Sequence, residues 1–401
     1  MSAPPDNIVI LGAGIIGLST AYYLDRLSPT STSITVLDAS PSLFASASGR
    51  AAGFLARDWY TSATSALGAL SFDLHRSLAA EHDGAHAWGY SSSIAYSLSE
   101  MTAKEGDARG EDWLFDNTSR AMMGREEGQA NLPAWLAGGK EKNAEVISTS
   151  ETTAQVDPLR LCEFLLEQCQ QRGIDVLHPV TPTSLGTSPS HVLSDLTYID
   201  ANGVPTTIPC THIILTAGVW TPDVYRKLFP KSPLQLPITA LSGHSLVLRS
   251  PHWNPPTPDV TCHAAFASDE IAGFSPEIFS RAHGDIYLAG LNSAMLPVAP
   301  IVTDVHPDPA SIDVLKDSAR RLLGTDELDV VKESLCHRPV TPSGVPLLTR
   351  IGHQHTGVSG GVWVSAGHGP WGISLSLGTG LVLAELVLRR TPSADVSRLG
   401  L

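Results

Sequence analysis

Apolar positions along this chain change period several times, and the changes mark out its elements. Asn7–Leu11 is a nearly continuous apolar run that ends in Gly12-Ala-Gly14. From Ile15 to Leu24 apolar and small residues fall into a helical pattern, and Ile34–Leu37 is a second apolar run closed by Asp38. Strand, glycine turn, helix, strand and acid come in the order a βαβ dinucleotide-binding unit requires. Ser65–Glu81 also carries helical periodicity. Asp157-Pro158 supplies an N-cap acid and a proline in the first turn of another helix. Leu161, Leu165, Leu166 and Cys169 give that helix its apolar face, and Gly173 ends it. Ile174–Val180 reads as a strand and the Thr/Ser/Pro-rich Thr181–Ser194 as a loop. Leu196–Ile208 reads as two short strands about the turn Asp200-Ala-Asn202-Gly203.

Further on, the apolar run after His212 enters a second glycine turn at Ala217-Gly218. Residues 234–334 then alternate short β-rich runs (Gly243–Leu248, Ile286–Leu291) with proline-rich loops such as Ser250–Pro258. This pattern predicts an antiparallel sheet inserted between parts of the nucleotide-binding unit. From Cys336 the chain returns to strand, loop and strand, then a glycine cluster at Gly357–Ala366, then a helix from about Gly372 to Arg390. The expected fold class is α/β (α+β). A Rossmann-like domain is assembled from the separated segments 1–60, 150–222 and 335–401. A substrate domain is built from 61–149 and 223–334.

The glycine turn has a direct chemical reading. Gly12 allows the tight turn, Gly14 lets the backbone approach a pyrophosphate, and Gly17 lets the helix pack closely on the strand. The helix N-terminus offers N–H groups to the phosphates. Asp38 stands 21 residues after Gly17, where a carboxylate can accept hydrogen bonds from a ribose diol. The fingerprint alone permits NAD or FAD.

Composition narrows the remaining classes. The 401 residues carry 26 Lys and Arg against 40 Asp and Glu, a net charge of −14, and no basic cluster stands out. That argues against a nucleic-acid partner or an anionic membrane surface. The longest late apolar stretch, Ile373–Leu388, is interrupted by Glu385 and is too short to span a bilayer. With no secretory leader and no peroxisomal ending in Arg398–Leu401, a cytoplasmic location is expected. The five cysteines, Cys162, Cys169, Cys210, Cys262 and Cys336, are scattered and odd in number, which suits a reducing compartment. Cys162 and Cys169 share a helix face about 10 Å apart at ~1.5 Å per residue, too far for a disulfide. His82 with His86, and His353 with His355, have metal-like spacing but no convincing third ligand, so no metal is expected.

The chain resembles the FAD-dependent D-amino-acid oxidase, glycine oxidase and sarcosine oxidase (DAO) superfamily, and within it a fungal Tda3-like branch. The segments that carry the resemblance run in order along nearly the whole sequence. They are the N-terminal fingerprint, Ala45–Leu55 with Ser48-Gly49-Arg50, Gln155–Pro158, Ala217–Thr221, Ser275–Phe279, Arg338–Pro346 and Gly367–Ile373. The resemblance moves the cofactor from NAD or FAD to FAD. It implies FAD contacts at Gly12, Ala13, Gly14, Ile15, Ile16 and Gly17, and at Asp38, Ala39 and Ser40. It implies further contacts at Ser48, Gly49, Arg50, Ala52, Gly53, Val180, Ala217, Gly218, Trp220 and Cys336. The last set is Gly367, His368, Gly369, Trp371, Gly372 and Ile373. The helix after Gly372 is expected to point its positive end at the flavin pyrimidine, favouring negative charge there.

The same resemblance suggests the chemistry. Arg338 matches an Arg-Pro whose guanidinium holds a substrate carboxylate through two parallel hydrogen bonds; the alternative is a structural ion pair. Cys336 matches the cysteine that forms an 8α-S-cysteinyl bond to FAD in sarcosine-oxidase-like members; the alternative is a small buried hydrophobe. Those members carry a substrate-binding lysine near the position where this chain has Trp371, which argues against an N-methyl amino acid and for a bulkier or apolar substrate. His337 or His368 could assist proton transfer, or be structural. The implied reaction oxidises a C–N bond of an amino acid or amine by hydride transfer to flavin N5, with O2 as acceptor giving H2O2. The alternatives are a biosynthetic flavoenzyme that tailors a metabolite, and a low-turnover Tda3-like flavoprotein in trafficking or regulation. The oligomeric state is open.

Overall fold

The computed structural model describes residues 6–100, 114, 131–136, 138 and 142–401. In chain order the strands are β1 (Asn7–Leu11), β2 (Ser33–Leu37), β3 (Phe54–Ala56), β4 (Ser91–Glu100), β5 (Lys142–Ser148), β6 (Thr153–Gln155), β7 (Asp175–Leu177), β8 (Thr181–Thr187), β9 (Leu193–Ile199) and β10 (Pro205–Pro209). They continue with β11 (His212–Leu215), β12 (Thr239–Arg249), β13 (Cys262–Ala267), β14 (Glu277–Ser280), β15 (Ile286–Ser293), β16 (Asp329–Val340), β17 (Leu347–Arg350) and β18 (Gly361–Ala366).

The first apolar run lies inside a six-stranded sheet of order β17-β18-β11-β1-β2-β7. All pairs are parallel except β17–β18. Ile8 and Ile10 enter one core and Val9 and Leu11 the other, which is why the run is apolar at nearly every position. One face packs the helices Ile15–Leu27, Ser65–Glu81, Pro158–Gln171 and Ser376–Val387. The other packs the small sheet β10-β9-β8 and the helix Thr221–Leu228. Asp157 caps its helix as its sequence position predicts, accepting from the N–H groups of Leu159 and Arg160. Cys162 and Cys169 are buried on that helix, and all five cysteines are free and buried.

A nine-stranded sheet forms the second layer, in the order β16-β12-β15-β14-β13-β4-β6-β3, with β5 added on β4. One face of β15 sends Ile286 and Leu288 under the helix Pro309–Leu323; the other sends Tyr287 and Ala289 toward the first sheet. The strands of the expected insert pair antiparallel with one another throughout: β12 with β15 and β16, and β14 with β13 and β15. β4 and β13 pair in parallel, because more than 150 residues of chain separate them and they meet by crossover rather than by a hairpin. β16 also runs unbroken through the expected boundary at 334/335.

Two further expectations change. Thr181–Ser194 is not a loop: Thr181–Thr187 is β8, an edge strand whose Pro182 sits beside a register shift, where a missing N–H is tolerated. The last helix begins at Ser376, four residues later than expected, after a short 3-10 turn at Gly369–Trp371. Ser374 bonds to Tyr60 Oη and takes the N–H of Ala56, which holds the intervening segment down before the helix starts. Among the described residues, no helix is long and apolar enough to cross a membrane.

Candidate active site

The carboxyl ends of β1, β2, β11 and β18 deliver the glycine turn, Asp38, Ala217-Gly218 and Gly367 to one edge of the first sheet. The chain order reverses across β1, and such a switch point opens a crevice. There a cavity of about 590 Å3 runs from Gly12 and Asp38 to Cys336, Arg338, Glu277 and Tyr287 on the large sheet. That is within the roughly 300–1,000 Å3 of small-molecule and cofactor sites.

At the first end the main chain makes the wall. Gly12 adopts φ +116°, a conformation closed to other residues at low cost. A Cβ on Gly17 would stand 1.9 Å from the Gly12 carbonyl oxygen, so only glycine allows this crossing of helix and turn. Asp38 accepts from Ala13 N at 2.7 Å and from Ser40 N at 2.8 Å. Burial pushes its carboxyl up, and those two N–H groups pull it back. Asp38 thus secures the turn as well as facing the cavity. Ile15 N, in the first turn of the helix, donates to Ser48 Oγ at 3.0 Å, so that donor of the expected phosphate cradle already has a partner.

At the far end side chains make the wall. β16 brings Cys336 and Arg338 in from one side, and the strand pair β14–β15 brings Glu277 and Tyr287 from the other. Between them, at a bulge, Leu291 and Asn292 of β15 together face Gly243 of β12. Leu291 takes φ +54°, a left-handed conformation costing roughly 1–3 kcal/mol for such a residue. The bulge re-aims Asn292, whose Oδ1 accepts from Arg338 Nη1 at 2.7 Å. A Cβ on Gly243 would lie 2.5 Å from that Nη1, so the guanidinium lies directly over the glycine.

The electrostatics of this end are set by burial and by neighbours. Burial pushes the Glu277 carboxyl up to about 6, opposed by Arg338. Burial raises the Cys336 thiol, with the guanidinium groups of Arg338 and Arg50 opposing it. Burial works against the charge of Arg338, but Cys336, Glu277 and Tyr287 outweigh it and hold the guanidinium above its ordinary value. His337 is lowered by burial and by Arg50; its Nδ1 pairs with Ser242 Oγ at 2.7 Å. Burial lowers His368 to about 4, and its Nε2 pairs with Thr379 Oγ1 at 3.2 Å. Both imidazoles are therefore neutral near pH 7.

Most of the residues singled out by sequence line this cavity: Gly12, Gly14, Ile15, Ile16, Asp38, Ala39, Ser40, Ser48, Ala52, Ala217, Gly218, Trp220, Cys336, His337, Arg338, His368, Gly369, Gly372 and Ile373. Others shape it from behind. Ala13 acts through its N–H on Asp38, and Val180 N donates to the Asp38 carbonyl. Arg50 Nη1 donates to Leu335 O, tying the Gly49–Gly53 segment to β16. Gly367 lies against Thr341. Trp371 differs from expectation: its ring packs edge-on to Trp59 and Tyr60, at 6.2 and 5.1 Å, and does not line the cavity. The helix dipole is set back as well, since the helix starts at Ser376 and Gly378 N donates to Ser71 Oγ.

Sequence reasoning missed Glu277, Tyr287 and Asn292. Glu277 was visible as an acid inside Ser275–Phe279, but nothing local said it faced a cavity. Arg281 was missed too: it is 7% exposed and donates to Ala51 O and Ala52 O, bracing the loop before Gly53.

Comparison with known proteins agrees with this architecture. A protein of Schizosaccharomyces pombe, C1F5.03c, which carries a provisional oxidoreductase name, is 27% identical and aligns with 95% of this chain and 94% of its own length. D-amino acid dehydrogenase 2 of Pseudomonas aeruginosa is 30% identical over 48% of this chain and 40% of its own. The crystal structure of glycine oxidase from Geobacillus kaustophilus superposes with a TM-score of 0.72 at 19% identity, covering 99% of this chain and 98% of that one. The sequence model of the DAO family, described as FAD dependent oxidoreductase, matches residues 7–386. This chain belongs to the DAO family of FAD-dependent oxidoreductases.

Proposed function

We propose that this protein oxidises the C–N bond of an amino acid or amine, with FAD lying along the cavity from the glycine turn to β16. The single observation that carries the reading is the cavity itself. It joins a main-chain cradle at Gly12 and Asp38 to a half-buried guanidinium, Arg338, beside an acid. The walls suit the cofactor. Two buried polar atoms at its edge, His337 Nε2 and Ser365 Oγ, have no partner among the described residues. Gly12–Ile16, Asp38, Ala39 and Ser40 would hold the dinucleotide end, and Ser48, Ala52, Gly369, Gly372 and Ile373 the ring end.

Bound there, the flavin supplies the hydride acceptor, with O2 as the final acceptor giving H2O2. The chain's own residues bind and orient. Arg338 holds the substrate carboxylate, preorganised by Asn292. The neutral His337 and His368 add no second positive charge to the cavity. Cys336 lines the cavity, and the guanidinium groups of Arg338 and Arg50 offset only part of the burial that raises its thiol; its place on the cavity wall supports an 8α-S-cysteinyl bond at that sulfur. The names of the relatives, a glycine oxidase and a D-amino acid dehydrogenase, point to amino-acid substrates.

The test is anaerobic mixing of the yellow protein with a panel of amino acids and amines. Bleaching of the flavin absorbance is expected with at least one, and peroxide release in air. Bleaching without peroxide makes the protein a dehydrogenase; no bleaching with any member of the panel rejects C–N oxidation. Acid precipitation tests the covalent bond, and a colourless pellet rejects it.

A further inference from the structure

Glu277, Tyr287 and Asn292 at the far end of the cavity have no role suggested by the sequence, and Glu277 is the acid among them. Glu277 lies on β14, on the same sheet face as Phe279 of its own strand and Ala289 and Tyr287 of β15, since Glu277 pairs with Ala289 and Phe279 with Tyr287. Ile278, between them, points to the opposite core. The side chain therefore belongs to the cavity face by the alternation of the strand. Arg338 lines the same cavity, and the two charges act on each other. The remaining charged or titratable groups around it are Cys336 and Tyr287, both neutral at pH 7 because burial raises the thiol and pushes the phenol up to about 12. Beyond them lie His337 on β16, and Asp223 and Lys227 on the helix Thr221–Leu228, all lining the same cavity.

A site built only to grip a carboxylate gains nothing from an acid beside its arginine. A carboxylate probe arriving at Arg338 is repelled by Glu277, so the pair as a whole suits a ligand carrying both signs. We propose that Glu277 receives the ammonium group of the substrate and takes one of its protons while Arg338 holds the carboxylate, so that the site selects a zwitterion over a plain carboxylate. The step balances simply. The ammonium N–H bond breaks, the proton passes to a Glu277 oxygen, and the amine keeps the electron pair it needs before its α-carbon can release a hydride. A carboxyl with its pKa pushed up to about 6 is a stronger base than an exposed one while still ionised at pH 7. The proposal rests on the amine-oxidation reading for the fate of the substrate, but the binding preference can be measured without turnover.

The experiment is calorimetric titration of the flavin-loaded protein with sodium propionate, at about pH 5 and about pH 8, on wild type and Glu277→Gln. Wild type is expected to bind propionate at least about tenfold more weakly at the higher pH, where Glu277 is charged. Glu277→Gln is expected to bind the ionised form, about half of the ligand at pH 5, equally at both. A pH-independent affinity in wild type, the same pH dependence in both proteins, or no propionate binding by Glu277→Gln overturns the proposal. For any substrate found in the panel, Glu277→Gln is expected to lose roughly 10²–10⁴-fold in kcat/KM together with the ascending limb of the pH profile near 6, and Glu277→Asp to restore part of both. Retention of that limb in Glu277→Gln also overturns it. Unchanged flavin absorbance in the variants separates these effects from misfolding. If no amine bleaches the flavin yet the propionate pattern holds, the C–N reading fails and the paired-charge site stands.

Discussion

The two ends of the cavity are built by opposite means. At the glycine turn the wall is main chain, drawn from a contiguous stretch, and its side chains serve to hold the backbone in place, as Asp38 does for Ala13 and Ser40. At the other end the wall is side chain, drawn from β14, β15 and β16, with the backbone distorted to aim it, as Leu291 shows. A main-chain wall can accept a cofactor shared by many enzymes, because N–H groups and absent Cβ atoms do not discriminate. A side-chain wall can be changed one residue at a time without touching the cradle. The contrast predicts cofactor retention at one end and substrate choice at the other, and it breaks if variants at either end produce the other's effect.

The largest effect is expected at Gly17. In Gly17→Val the new Cβ starts 1.9 Å from the Gly12 carbonyl and 2.9 Å from Thr216 Oγ1. Neither can yield without opening the β1 turn. Overpacking of this kind costs about 1–3 kcal/mol or more, and here it also deforms the cradle. The purified variant should be colourless or aggregated, read as the ratio of flavin to protein absorbance. A yellow, fully active Gly17→Val would remove the main-chain cradle from the argument.

Arg338→Lys comes next and should behave in the opposite way. The ammonium of lysine cannot make two parallel bonds to a carboxylate or keep the geometry over Gly243. A loss of about 10²-fold or more in kcat/KM is expected for carboxylate-bearing substrates, mostly in KM, with flavin content unchanged. Loss of flavin instead would mean that Arg338 belongs to the cofactor end.

The legibility of the sequence follows the same division. The βαβ unit, the helix Ser65–Glu81 and the Asp157 cap were readable because each is written in neighbouring residues. So was most of the cradle. Thr181–Thr187 was misread because threonines and a proline resemble a loop until an edge strand gives them partners. Trp371 was misread because its place among Trp59 and Tyr60 depends on residues more than 300 positions away. Glu277, Asn292 and Arg281 acquire their roles only when the strands come together. No period or short motif encodes that meeting.

Protonation offers a test that involves both ends at once. His368 beside the cavity is lowered to about 4, as are the buried His75 and the half-buried His263. In the unfolded chain each returns to about 6.5. Between these values the unfolded state binds more protons, so the stability these histidines contribute is present above about pH 6.5 and is lost as pH falls toward 4. Glu277 has the opposite sign: raised to about 6, it binds more protons folded than unfolded, and its contribution is lost as pH rises through 6. Melting temperature should therefore fall on acidification with a slope that His368→Gln reduces and Glu277→Gln steepens. Identical slopes in all three proteins would contradict the burial assigned to these groups.

The smallest effect is expected at Ser48, and it is the sharpest check on the contrast. Its hydroxyl accepts from Ile15 N at 3.0 Å. Ser48→Ala leaves that N–H to the cavity and its contents, at a cost of about 0.5–1.5 kcal/mol in urea unfolding. Flavin retention should fall by no more than about tenfold, because the rest of the cradle is main chain that the substitution does not alter. Turnover of a substrate held at Arg338 should be unchanged once flavin is saturating. If Ser48→Ala instead empties the protein of flavin as completely as Gly17→Val, then one hydroxyl rather than the backbone governs that end. The two walls would then be built by the same means after all.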